Sequence, residues 1–138
     1  MKPKLITPVC PCGLLDALKK KPLLLPQCCG RYLNDFTATP APDAASLMRS
    51  RYSAFVLGQS AYLQATWHAS TRPDDVTPEP GTQWLGLDVK SHKTPDPAHA
   101  EVEFIARYRL AGRAVRLHEV SRFVREDGRW YYVDGDLL

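Results

Sequence analysis

The sequence predicts an α+β fold preceded by a small cysteine-rich module, and three observations predict it. Apolar residues recur at helical spacing after Asp43. From residue 82 the period changes to two, with tight-turn signals between the runs. All four cysteines fall before residue 30. Helices first, then four strands joined by short turns, is the order of a mostly antiparallel sheet with one face packed on helices.

The module comes first. Cys10-Pro11-Cys12 and Cys28-Cys29 hold every thiol in the chain, and thiols crowded in this way look like one metal's ligand set. Thiolate is the ligand zinc takes in a closed tetrahedral structural site, with bonds of roughly 2.3 Å. The two pairs can converge on one ion if the connection between them folds back. Adjacent half-cystines cannot readily pair with each other, and nothing indicates an oxidising compartment. The reading is therefore zinc held by Cys10, Cys12, Cys28 and Cys29, with free or redox-active thiols as the alternative. The module spans residues 1–35, and Gly30 is placed to let the backbone turn tightly after the second pair. Lys19-Lys20-Lys21, between the pairs, reads as a nucleic-acid patch only if neighbours extend it; a solvated loop or short helix end is the plainer reading, with nucleic-acid contact through these lysines, Arg31 and the module as the weaker alternative.

Residues 37–42 (Thr-Ala-Thr-Pro-Ala-Pro) form a linker, and the second domain spans 43–138. Asp43 can cap a helix in which Met48, Tyr52, Phe55 and Val56 make an apolar stripe, broadened by Ala44, Ala45 and Leu47. Gly58 sits where that helix ends. Arg51 projects inside the stripe, where arginine is rare unless paired or ligand-bound; the bland alternative is snorkelling at the rim. Ser60 can cap a shorter helix carrying Leu63, Thr66 and Trp67 on one face and ending near His68, which lies off the apolar face and reads as a surface or supporting histidine, with a pocket role as the alternative. Leu85, Leu87 and Val89 then alternate with Trp84, Gly86 and Asp88. Residues 92–98, with Pro95 and Pro97, read as a loop. In the next strand Val102, Phe104, Ala106, Tyr108 and Leu110 share a face, with Ile105 an apolar exception on the other. Ala111-Gly112-Arg113 is a hairpin connection, and Asp127-Gly128 is a strong hairpin signal before the last strand from Trp130. Between these turns, Leu117, Glu119, Ser121 and Phe123 share the inner face of the third strand. That places Glu119 and Ser121 among apolar neighbours, looking toward Arg51. A Glu119–Arg51 pair is thus expected as the polar floor of a cavity, with a purely structural ion pair as the alternative.

Composition sets the outer bounds. With 138 residues, 44% hydrophobic and 24% charged, the chain is ordinary for a globular protein. A net charge of +3 is too mild to imply nucleic acid. No apolar run approaches the roughly 20 residues of a membrane helix. The start, Met1-Lys2-Pro3-Lys4, lacks the apolar core of a signal peptide, so the expected compartment is the cytoplasm. Familiar catalytic patterns fail: His118-Glu119 begins like H-E-x-x-H but Arg122 stands in the fifth position, and no G-x-S-x-G, P-loop or G-x-G-x-x-G occurs. An acid/base pocket of Arg51, Tyr52, His68 and Glu119 is chemically sufficient for catalysis but is not indicated by the sequence.

Cys10-Pro11-Cys12-Gly13 and Cys28-Cys29-Gly30 resemble the SEC-C motif, a small zinc module found at the C-terminus of the SecA translocase and attached to many other proteins. Here no Gly-Ser-Gly connection follows the first pair, and the intervening stretch is longer than usual. A longer loop costs little closure entropy, so the ligand assignment survives. The whole chain resembles the YchJ-like family, in which such a module precedes a domain similar to nuclear transport factor 2. The likeness is carried by residues 47–55 (Leu-Met-Arg-Ser-Arg-Tyr-Ser-Ala-Phe), by Thr66-Trp67-His68 with Ser70-Thr71-Arg72-Pro73, by His118-Glu119-x-Ser121-x-Phe123, and by Asp127-Gly128-x-Trp130-x-Tyr132-x-Asp134-Gly135. The resemblance implies a zinc ion and a cone-like domain, helices wrapped by a curved sheet with a cavity at the open end. Such folds host both enzymes and plain binding modules. The expected role is non-enzymatic: the zinc module docks a protein partner while the cone binds a small ligand or protein, with Arg51, Tyr52, His68, Glu119 and Ser121 in its pocket. The rival is an enzyme with Glu119 or His68 as base. The outer sheet face, with Ile105, Val120 and Val124, leaves room for a homodimer.

Overall fold

The computed structural model describes residues 7–138; the Met1–Lys4 start and the first residues of the cysteine module lie outside the described residues. The cysteine segment begins with a finger. Cys10 N–H donates to the Leu23 carbonyl, Leu23 N–H to Leu14, and Asp16 N–H to Lys21, with antiparallel bridges Val9–Leu24 and Leu15–Pro22. The Asp16 carboxylate accepts from the N–H groups of Leu18 and Lys19, which closes the tip around the three lysines. A 3-10 turn, Leu25–Gln27, and the short helix α1, Gly30–Leu33, return the chain. Gly30 is needed for closeness rather than for a turn: a Cβ there would lie 2.6 Å from the Leu25 carbonyl oxygen.

Helix α2, Ala44–Leu57, starts on Asp43, whose side chain accepts from Ser46 N–H, and ends on Gly58 in the left-handed region at φ 70°. Helix α3, Ser60–Ala65, follows at once. Ser60 is its first residue, not its cap, and no side chain caps that end. Four strands complete the chain: β1 Gln83–Asp96, β2 His99–Leu110, β3 Arg113–Glu126 and β4 Arg129–Leu137. They form one antiparallel sheet in sequence order. The 92–98 segment expected as a loop is mostly strand, since β1 runs to Asp96 and only Pro97 and Ala98 turn. The physical reason is position. β1 lies at a sheet edge, where Pro95 forfeits no ladder hydrogen bond that a neighbour requires. The two-residue turns Ala111-Gly112 and Asp127-Gly128 have positive φ at both positions, the geometry that matches the right-handed twist of paired strands.

The inner sheet face packs on α2, and the core joins both halves of the chain. Leu47, Ala54, Leu63, Val102 and Phe123 belong to the same buried cluster as the four cysteines. Helix α2 is therefore covered on two sides. Met48, Tyr52 and Phe55 turn toward the sheet, while Ser53, fully buried, meets Cys10 with its hydroxyl 3.6 Å from the sulfur. Val56, expected in the apolar stripe, is 37% exposed. On the outer sheet face Ile105 is only 2% exposed, covered by its own chain, and so adds little to an apolar docking face.

Candidate metal centre and ligand cavity

The sulfur atoms of Cys10, Cys12, Cys28 and Cys29 all lie within 4.8 Å of one another. Each residue is at most 2% exposed, and none forms a disulfide. Local backbone geometry gathers them. The finger returns the second pair beside the first, and the Cys28 and Cys29 carbonyls accept from Arg31 and Tyr32 N–H as α1 begins. Arg31 Nε also donates to the Cys28 carbonyl, and Arg49 of α2 donates to that of Cys12. The protonation pattern is uneven. Sulfur hydrogen bonds with Cys12 and Cys29 hold Cys10 far below the ordinary thiol value. Burial, then the charge of Cys12 and Cys10, pushes Cys28 up to about 12. Hydrogen bonding to Cys10 and Cys12 raises Cys29 as well. Unaided, four buried thiols cannot all ionise; a cation among them removes the repulsion that stops them. The residues fit a metal.

The second feature is a cavity of about 340 Å³ between α2, the inner sheet face and the 77–82 segment, within the usual size of small-molecule sites. Strand alternation brings Leu117, Glu119, Ser121 and Phe123 of β3 into its wall, as expected, and α2 adds Arg51 and Tyr52. The expected Arg51–Glu119 pair does not form. Arg51 Nη1 donates to the Leu63 carbonyl (2.9 Å) and to Thr66 Oγ1 (2.7 Å). Its guanidinium lies over the Tyr132 ring at 4.7 Å and the Trp67 ring at 5.2 Å. Burial lowers its pKa to about 10, so it stays cationic at neutral pH. Glu119 instead accepts from Ser121 Oγ (3.1 Å) and from the Tyr132 hydroxyl (3.4 Å). Burial nevertheless holds its carboxyl above the ordinary value. The reason the pair fails is competition: the carbonyl exposed where α3 ends and the Thr66 hydroxyl reach Arg51 first. Gly135, paired with Ser121 across the β3–β4 ladder, makes room for Glu119, since a Cβ there would sit 2.7 Å from the carboxyl carbon.

His68 is not in the cavity. Trp67 forms a parallel bridge with Tyr132, with Tyr132 N–H donating to Thr66 O and His68 N–H to Tyr132 O. Neighbouring side chains therefore point opposite ways. Trp67 enters the cavity, while the His68 ring lies 5.9 Å from Tyr131. Ser70 N–H donates to His68 Nδ1, so Nε2 carries the proton and donates to Glu126 at 2.9 Å. Thr71 and Arg72 are structural too: Thr71 Oγ1 donates to the Val133 carbonyl and Arg72 Nε to that of Trp67. Sequence reasoning missed Trp84 and Tyr132 as wall residues. Trp84 packs edge-on to Tyr52 at 5.5 Å. Trp84 pairs with Tyr108 because the β1–β2 ladder slips between Trp84 and Gly86, which leaves Leu85 46% exposed, while Tyr132 pairs with Phe123 in the register set by the Asp127-Gly128 turn.

A sheet-and-helix cone with an aromatic cavity and a buried four-cysteine cluster on the back of its main helix defines a nuclear transport factor 2-like protein with an SEC-C-type module. The family model described as "YchJ, middle NTF2-like domain" matches residues 43–135, and the chain belongs to that YchJ-like family. A UPF0225 protein of Polaromonas sp. (strain JS666 / ATCC BAA-500) is 64% identical, covering 92% of this chain and 91% of its own length. One from Bordetella parapertussis is 54% identical over 99% and 98% of the two chains. Among solved structures, an SEC-C motif containing protein from Psychrobacter arcticus superposes with a TM-score of 0.77 at 33% identity, covering 91% of this chain and 80% of that one. RPA3114, an SEC-C motif containing protein from Rhodopseudomonas palustris, gives 0.76 at 29%, covering 94% and 98%.

Proposed function

We propose that this is a cytoplasmic, zinc-stabilised binding protein, whose cone takes up a small ligand and whose cysteine finger docks a protein partner. The observation that carries the reading is the convergence of four buried sulfurs. Cys10 and Cys12 lie 3.5 Å apart, and Cys12 and Cys28 3.6 Å. Ligands at Zn–S bonds of roughly 2.3 Å on a tetrahedron stand roughly 3.8 Å apart, so the cluster needs little movement to close on zinc. Four thiolates fill the coordination sphere, so the ion would act as a cross-link, and its binding energy would become folding energy, about 10–16 kcal/mol in zinc-finger peptides. Free buried thiols suit a reducing compartment. No helix among the described residues is long and apolar enough to cross a membrane. The docking role is supported by the finger's surface, where Leu18 is 94% exposed and Leu15 49% beside Lys19, Lys20 and Lys21. An apolar tip with a basic collar suits an acidic protein surface better than nucleic acid.

Native mass spectrometry of protein purified without chelator tests the metal. About one zinc per chain is expected, absent after Cys28→Ser with Cys29→Ser; metal-free protein with four freely alkylated thiols would overturn the proposal. A second reading, an enzyme of the cone, is favoured by one observation: Arg51 and Glu119 both line the cavity without neutralising each other in an ion pair. With His68 outside the cavity, Glu119 would be the base held inside it.

A further inference from the structure

Arg51 is 5% exposed, and among the described residues no carboxylate lies within ion-pair distance of it. Both N–H groups of its Nη1 are taken, by Leu63 O and Thr66 Oγ1. Among the described residues its Nε and Nη2 groups have no acceptor, yet no side-chain nitrogen there is both fully buried and unpartnered. They therefore reach open space, and the open space beside Arg51 is the cavity. What remains free is one edge of a planar fork, two parallel donors of the spacing that a carboxylate accepts. Tyr132 and Trp67 hold the plane of that fork.

Resting on the small-ligand reading of the cone, we propose that the ligand is a small ring-bearing carboxylic acid, its carboxylate on the free edge of Arg51 and its ring among Tyr52, Trp84 and Phe104. The chemistry disfavours phosphate. Among the described residues Arg51 is the only cation in the wall, and most of the lining is aromatic or aliphatic, so a phosphate dianion would leave charge and acceptors unmatched at a desolvation cost. The fork discriminates further. A neutral amide presents one acceptor and an N–H₂ that faces Arg51 donor to donor, so it forfeits both the charge and half the fork. Two carboxylates already line the cavity. Glu79 is exposed at its mouth, where solvent screens it. Glu119 sits inside, held by Ser121 and Tyr132, and opposes a second carboxylate until that charge is removed.

Isothermal titration calorimetry at pH 7.5 with phenylacetate and cinnamate, against phenylacetamide, cinnamamide and inorganic phosphate, tests this. The acids should bind at least tenfold more tightly than their amides, and phosphate should give no heat. Arg51→Gln should remove the preference for acids, whereas Glu119→Gln should tighten acid binding several-fold, an effect that a purely structural Glu119 would not produce. Should Arg51→Gln fail to fold, the acid-to-amide ratio in the wild type decides alone. Amides binding as tightly as acids would overturn the inference and leave the small-ligand reading standing, as would tight phosphate binding. If neither acids, amides nor the neutral ring probe N-phenyl-1-naphthylamine binds, both fall.

Discussion

Glu119 shows what a single buried side chain can report. Its carboxyl is held above the ordinary value by burial, against the lowering effect of Ser121, Tyr132, Arg51 and Arg122. The sign follows from linkage: protons bind the folded form more tightly, so this group's contribution is fully present below the unfolded pKa, roughly 4.3, and is lost as pH rises through the higher folded value. Glu119→Gln should therefore raise the melting temperature at pH 7, with the gain shrinking toward pH 4. A gain that does not change with pH would mean that the carboxylate is not strained by burial. Its neighbour across the ladder gives a second prediction. Gly135→Ala should displace the Glu119 carboxylate from its two hydroxyl donors and cost about 1–3 kcal/mol, as overpacking does. In the Glu119→Ala background the same change should cost much less, and chemical denaturation of the four proteins measures that coupling.

At the scale of elements, α2 organises the molecule. One face carries the cavity wall and the other meets the cysteine cluster, so its small buried residues Ser50 and Ser53 matter as much as its large ones. Ser50 donates to the Leu47 carbonyl and meets the Tyr62 hydroxyl at 2.6 Å, which allows a polar residue into a closely packed contact. Its N-terminal cap is explicit in the geometry, with Ser46 N–H 2.7 Å from the Asp43 carboxylate. Asp43→Ala should cost about 1 kcal/mol, read as a lower denaturant midpoint with an unchanged slope. The sheet shows how turn chemistry and edge position outweigh local propensity. The two glycine hairpins were legible from their residues, while the first hairpin, built on Pro95, Pro97 and an Asp96 side chain that accepts from Ala98 N–H, looked like a loop.

At the scale of the whole molecule, the cysteines and the cone share one buried cluster, and Arg129 of β4 reaches back to the Phe36 and Thr37 carbonyls. Metal removal should therefore be felt throughout. Chelation is expected to lower the melting temperature in a single transition and to weaken ligand uptake by the cone, since α2 would lose one of its two supports. Two separate transitions, with the cone's unchanged, would show that the module is an independent knob.

The sequence by itself determined which cysteines cluster, the α+β order, the helix from Asp43 to Gly58 and the inner face of β3. Each of these is a matter of residue type at short, regular spacing, where local geometry decides. Only the tertiary structure decided that Arg51 takes backbone and Thr66 acceptors instead of Glu119, that His68 faces away, and that Tyr132 and Trp84 close the cavity. Those outcomes turn on which of several distant partners arrives first and on a one-residue slip in the ladder, and neither leaves a mark on the local pattern.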